Sequence, residues 1–148
     1  MKDITIDWAL RATWQAVTRV YNEQAKEYDS SMAVGFTLLS IDPKTGTPST
    51  ALGPKMGMEA TSLSRIIKNM ETRGLIEKKP NPNDGRGVLI HLTPFGTEMR
   101  TRSKDVVLRF NEVVSQVVEK EDLQGFFKTI DAINQLINDK KIYTKTTN

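Results

Sequence analysis

Arg65, Lys68 and Asn69, with Thr61, Ser62, Ser64 and Arg73 around them, are the residues of this 148-residue chain whose types and spacing could do chemistry. That chemistry is recognition of nucleic acid. In the stretch from Glu59 to Arg73, Leu63, Ile66, Ile67 and Met70 recur at i, i+3, i+4 and i+7, which marks one apolar helical face. At about 100° per residue the opposite face carries Thr61, Arg65, Lys68 and Thr72, with Ser62 and Asn69 on a shoulder. Cations and short hydrogen-bonding side chains, with no carboxylate among them, are what phosphates and base edges require. Asp84 and Arg86 add a second charged group a few residues downstream.

The elements that must position these residues follow from the flanking sequence. Gly74 ends the helix as a C-terminal glycine does. Leu75 to Lys79 reads as a strand, Pro80 to Gly87 as a turn, and Val88 to Leu92 alternates back as a second strand. Upstream, Thr47-Pro48 has the form of a helix start, with threonine as N-cap and proline at the first helical position. The short third helix it opens (Pro48 to about Met56, closed by Gly57) contains Pro54, which predicts a kink or an end near Gly53. The turn Gly57-Met58-Glu59 then joins it to the amphipathic helix, so the pair forms a helix-turn-helix with a two-stranded β wing.

Around this reader lie helices in excess of its needs. The first (4–28) carries Leu10, Trp14, Val17, Tyr21 and Tyr28 at helical period; a second spans about 31–41. Beyond the wing, Thr93-Pro94 opens a long helix to about Lys120, and a last one runs from about Glu121 to Asn138 with apolar residues on two sides. The expected class is mostly α (α+β), a single domain over 1–148. Residues 31–96 would form the winged helix-turn-helix, with 1–30 and 97–148 as dimerisation helices. A homodimer would place two recognition helices about one DNA turn apart, fit for a pseudo-palindromic operator in double-stranded DNA.

Composition narrows the function further. The net charge of +3 is concentrated: residues 55–104 hold ten Lys/Arg against five acids, while the remainder has eleven against thirteen. That asymmetry is an electrostatic footprint centred on the reader. Cysteine is absent, which removes disulfides, zinc-thiolate sites and thiol sensing together. Apolar runs are too short for a membrane span and the N-terminus has no secretory h-region, so a cytoplasmic location is expected. The sole histidine, His91, alternates with Ile90 and Leu92 and reads as an ordinary strand residue. No base accompanies the Ser and Thr hydroxyls at a catalytic spacing, so neither an enzyme nor a cofactor is expected.

Three stretches resemble the MarR family of winged helix-turn-helix transcriptional regulators. Leu52-Gly-Pro-Lys-Met56-Gly57 resembles its third helix, usually Leu-Ala-x-x-Leu-Gly. Thr61-Ser-Leu-Ser-Arg65 through Glu71-Thr-Arg-Gly74-Leu-Ile-Glu-Lys-Lys79 resembles its recognition helix and first wing strand. Asp84-Gly-Arg86 with Leu92-Thr-Pro-Phe-Gly96 resembles its wing tip and the start of the fifth helix. Here Glu59 stands where serine or aspartate usually caps the recognition helix, and Gly53-Pro54 replaces a helix-favouring pair. The resemblance, over about residues 4–138, implies a dimeric repressor or activator, often released from DNA by a small aromatic effector. It also implies that Arg86 enters the minor groove and that Asp84 pairs with it or with a nearby arginine. Trp14, Tyr21 and Phe36 are the candidates to line an effector pocket, although core packing is the simpler expectation for each alone. Gly53-Pro54 and the modest charge leave a second reading, a winged-helix protein-interaction module that does not read DNA specifically.

Overall fold

The computed structural model describes residues 3–144, with the side chain of Arg86 outside that description. The chain runs α1 (Ile6–Lys26), α2 (Met32–Ser40), β1 (Thr47–Pro48), α3 (Ser49–Met56), α4 (Ala60–Thr72), β2 (Ile76–Asn81), β3 (Asp84–Leu92), α5 (Pro94–Val117) and α6 (Lys120–Asn138). It divides into two units, Met1–Val107 and Leu108–Asn148, the division falling within α5.

In the first unit one core gathers Val34, Leu38 and Ile41, Leu52 of α3, Leu63, Ile67 and Met70 of α4, and Leu75, Ile76, Ile90 and Met99. Each fully buried aliphatic side chain of this kind contributes about 1.5–3 kcal/mol of transfer free energy. The periodic apolar face read from the sequence of α4 is the face that is buried. Helix α2 starts where expected: Ser31 accepts the Val34 N–H at 3.2 Å. Asn22 Oδ1 accepts the Met32 N–H at 2.9 Å and ties α1 to that start.

Three expectations about the middle of the chain need correction. Thr47 and Pro48 do not open a helix. They form β1, paired antiparallel with Ile90 and Leu89, and α3 begins at Ser49. The Thr47 hydroxyl is occupied elsewhere, accepting the Asp42 N–H at 2.9 Å. Pro48 needs no donor on an edge strand. The sheet thus has three strands, in the order β1-β3-β2, of which β2 and β3 are the wing. In the turn before β1, the N–H groups of Lys44 and Thr45 donate to Asp42 Oδ1 at 2.8 and 2.9 Å, and these bonds hold the Asp42 carboxyl below its ordinary pKa.

Nor does α3 end near Gly53; it runs through Pro54 to Met56. Proline costs one backbone bond, but its fixed φ is helical, and the usual clash with the preceding Cβ vanishes because that residue is glycine. Gly53 also sits in a tight place, since a Cβ there would lie 3.2 Å from the Met58 carbonyl oxygen. Gly57, at φ 62°, then turns the chain toward α4.

The third correction concerns the wing. Residues 80–87 are not one turn: Pro80, Asn81 and Asp84 pair in the ladder, and Pro82-Asn83 forms the tip, where the Asn83 N–H bonds Asn81 Oδ1 at 3.0 Å. The register slips between Pro80, opposite Val88, and Asn81, opposite Asp84. Gly85, Arg86 and Gly87 are therefore extra residues on β3, a bulge flanked by glycines. His91 lies opposite Glu77, half-buried, with its ring over Gly46, where an added Cβ would come within 2.7–2.9 Å of it. Packing is its role.

The second unit, taken by itself, comprises the last turns of α5 and all of α6. None of its described residues is buried. Leu108, Val113, Val117, Phe126, Phe127, Leu136 and Ile137 all stand exposed. Among the described residues no helix is long and apolar enough to cross a membrane.

Candidate nucleic-acid interface

Helix α4 is fixed at both ends in different ways. At its C-terminus, Gly74 takes φ 73°, its N–H donates to Glu71 O at 3.0 Å, and the Leu75 N–H donates to Met70 O at 2.9 Å. This is a Schellman cap, and it satisfies two carbonyls that would otherwise be orphaned. At the N-terminus, Glu59 is the N-cap residue in extended conformation and its side chain makes no capping bond. The first N–H groups of α4 therefore have no side-chain acceptor, and the positive end of the helix dipole is left available to an anion.

Along the helix, Thr61, Ser62, Ser64, Arg65, Lys68 and Asn69 are all exposed, and Arg73 is half-buried at the C-cap. With Leu63, Ile67 and Met70 in the core, this polar surface is the outward face of the helix-turn-helix. Its residues are not equivalent. The Ser64 hydroxyl donates back to Ala60 O at 2.9 Å, and Thr72 does the same to Lys68 O at 3.0 Å, so both spend their protons on the helix itself. The lysines of β2 are also engaged: Lys78 lies 3.8 Å from Glu71, and Lys79 lies 3.3 Å from Glu77. Such exposed pairs are worth at most about 1 kcal/mol. They nonetheless offset positive charge that phosphate would have to recruit. Arg65 and Lys68 have no such partner among the described residues.

At the wing, Asp84 is exposed and its carboxylate borders Gly87, where a Cβ would approach Oδ2 to 3.0 Å. A side chain at this position would push the carboxylate aside. The side chain of Arg86 lies outside the described residues.

The three aromatic residues singled out from the sequence do meet. Trp14 stacks on Phe36 with centroids 6.5 Å apart, and Tyr21 meets Phe36 edge-on at 5.7 Å. Tyr21 and Phe36 line a cleft with Tyr28, Met99, Arg102 and Ser103, whereas Trp14 stacks outside its lining. Burial raises the Tyr21 phenol above its ordinary pKa, so it remains a donor. The Arg102 guanidinium lies 4.8 Å over the Tyr28 ring and also pairs with Glu98 at 3.2 Å. Arg102 and Ser103 were missed in the sequence because the polar run from Arg100 to Lys104 reads as a solvated face. No group of three or more His, Asp or Glu placed to hold a metal ion exists among the described residues.

Sequence reasoning also missed the junction at the foot of α4. The Thr93 N–H donates to Leu75 O at 3.1 Å, its hydroxyl donates to Gly74 O, and the same hydroxyl accepts the Gly96 N–H at 3.0 Å. A Cβ on Gly96 would overlap the Leu75 carbonyl oxygen and sit 2.9 Å from its carbon. The Thr-Pro-Phe-Gly run was a helix-start signal; that its threonine and glycine also grip the preceding helix was not visible in it.

Comparison with known proteins agrees with this architecture. The model of the MarR family matches residues 31–88. The chain is 32% identical over 82 residues to the multiple antibiotic resistance protein MarR of Escherichia coli K12, covering 55% of this chain and 57% of that protein. It spans about half the length of the first curated relatives it matches, 53% and 57%. Among solved structures, the MepR–DNA complex of S. aureus superposes with a TM-score of 0.82 at 14% identity, over 91% of this chain and 99% of that one. The PcaV transcriptional regulator of Streptomyces coelicolor, solved in complex with its natural ligand, gives 0.76 at 21% identity, over 91% and 98%. At such identities the two structures speak for the fold.

Proposed function

We propose, on the premise that the chain belongs to the MarR family through residues 31–88, that it is a homodimeric, sequence-specific DNA-binding transcriptional regulator. The observation that carries this reading is the division of α4 into a buried apolar face and an exposed face holding Thr61, Ser62, Arg65, Lys68 and Asn69. In it, α4 enters the major groove, its open N-terminus meets a phosphate, and Arg86 at the glycine-flanked bulge enters the neighbouring minor groove. The Glu71 and Glu77 pairs leave Arg65 and Lys68 as the cations of the helix most available to DNA. Exposed apolar residues of α1 (Ile6, Trp8, Leu10) and α6 (Phe126, Phe127, Ile137) are suited to an interface between two copies.

The regulator acts as a repressor released by a small aromatic effector. The cleft at Tyr21, Phe36 and Tyr28 supports this by its apolar walls and its few polar groups. Continuity of α3 across Gly53-Pro54 favours this reading over a protein-interaction module that does not read DNA specifically.

The test is fluorescence anisotropy on the DNA upstream of the chain's own gene, with a scrambled duplex and a salt series. Expected is preferential binding at two chains per site, with a log–log salt slope steepened by about 0.9 for each phosphate neutralised. Weak, equal binding to both duplexes, and no enrichment of any sequence in selection from a random pool, would sink the assignment.

A further inference from the structure

Helix α5 meets the reader at two points where side chains have been reduced to let backbones approach. At the first, Gly96 lies against the Leu75 carbonyl. At the second, Ser103 lies against Gly35 of α2, where an added Cβ would come within 3.2 Å of the Ser103 hydroxyl. The two points are seven residues apart, roughly 10 Å along the helix axis. Met99, between them, is buried in the core, and Val106 continues the same stripe into the aromatic cleft. These approaches bring α5 against the reader, the Ser103 one with some give. Directional bonds at its first turn then tie it to the end of α4.

Those bonds come from one residue. Thr93 precedes α5, and its hydroxyl caps the helix by accepting from the Gly96 N–H. The same hydroxyl donates to the Gly74 carbonyl, and its backbone N–H donates to the Leu75 carbonyl. Gly74 and Leu75 are the two residues that form the Schellman cap of α4. A single side chain therefore joins the last turn of the recognition helix to the first turn of α5.

We propose that Thr93 is a positioning residue: its hydroxyl fixes the angle between α5 and the C-terminal end of α4, and so sets the half-site spacing that a pair of chains reads on DNA. This rests on the reading of the chain as a paired DNA reader. Hydrogen bonds are short-range and directional, so a lost hydroxyl frees the angle while the apolar core still holds α4 in place.

The experiment uses the full-length chain and a duplex enriched by the wild-type protein from a random-sequence pool, together with the same duplex carrying one extra base pair at its centre. Thr93→Val keeps the shape and removes both hydroxyl bonds; Thr93→Ser keeps both. Expected is a wild-type preference of tenfold or more for the parent duplex, a fall to within threefold in Thr93→Val, and recovery in Thr93→Ser. Affinities are compared per folded chain, with melting curves run alongside. A Thr93→Val protein that keeps the full preference and loses only melting temperature overturns the proposal, leaving Thr93 a structural cap and the regulator reading intact. A wild-type protein that enriches no duplex, or ignores the insertion, overturns the paired-reader reading together with the proposal.

Discussion

Gly96→Ala is expected to destabilise the protein by about 3 kcal/mol, at the upper end of the cost of overpacking. The cause is local and stiff. The new methyl would overlap the Leu75 carbonyl oxygen, which is backbone and already accepts the Thr93 N–H. Relief requires either α5 to move off the reader or β2 to give up its start, and both carry buried core residues, Met99 on one side and Ile76 on the other. Gly125→Ala supplies the control. Gly125 sits inside α6 with nothing within 4 Å of an added Cβ. There the usual helix preference for alanine should stabilise by about 1 kcal/mol. Urea midpoints at one fixed protein concentration measure both. If the two substitutions shifted the midpoint in the same direction, the packing argument at Gly96 would be wrong.

Arg65→Ala should cost roughly 1–3 kcal/mol in binding to the preferred duplex, about tenfold to more than a hundredfold, and relax discrimination at the base it reads. The side chain is exposed, unpaired among the described residues, and mid-way along the outward face of α4. Folding should be unaffected, because the buried face of the helix is Leu63, Ile67 and Met70. Lys68→Ala gives the contrast: a phosphate contact would weaken binding to every duplex alike and reduce the salt slope by about one unit. An Arg65→Ala protein with unchanged affinity and footprint would remove Arg65 from the interface.

What could be read in the sequence was helical period and local residue type. The apolar stripe of α4 and the shared face of Trp14 and Tyr21 on α1 come from spacing, and the caps at Ser31 and Gly74 from residue type; the meeting with Phe36 comes from the packing of α2 on α1. Legibility failed where the deciding partner is distant in the chain. Thr47-Pro48 has a helix-start signature, but strand β3, more than forty residues on, pairs with it first. Pro54 reads as a breaker until Gly53 is seen packed on the Met58 carbonyl. The wing looked like a loop because glycines and asparagines dominate it, yet Lys79 and Pro80 already pair with Leu89 and Val88 and carry the ladder outward. The Thr93 junction was illegible for the same reason, since its acceptors belong to the end of a different helix.

Helices α1 and α6 hold no buried residue, although both are long and rich in aromatic and aliphatic side chains. If two copies pair through these exposed faces, as proposed above, folding and association share one equilibrium governed by mass action. The melting midpoint should then rise with protein concentration. In a cell, a fall in copy number would do more than empty the DNA sites: it would draw down the folded population itself, making the response to gene dosage steeper than site occupancy alone allows.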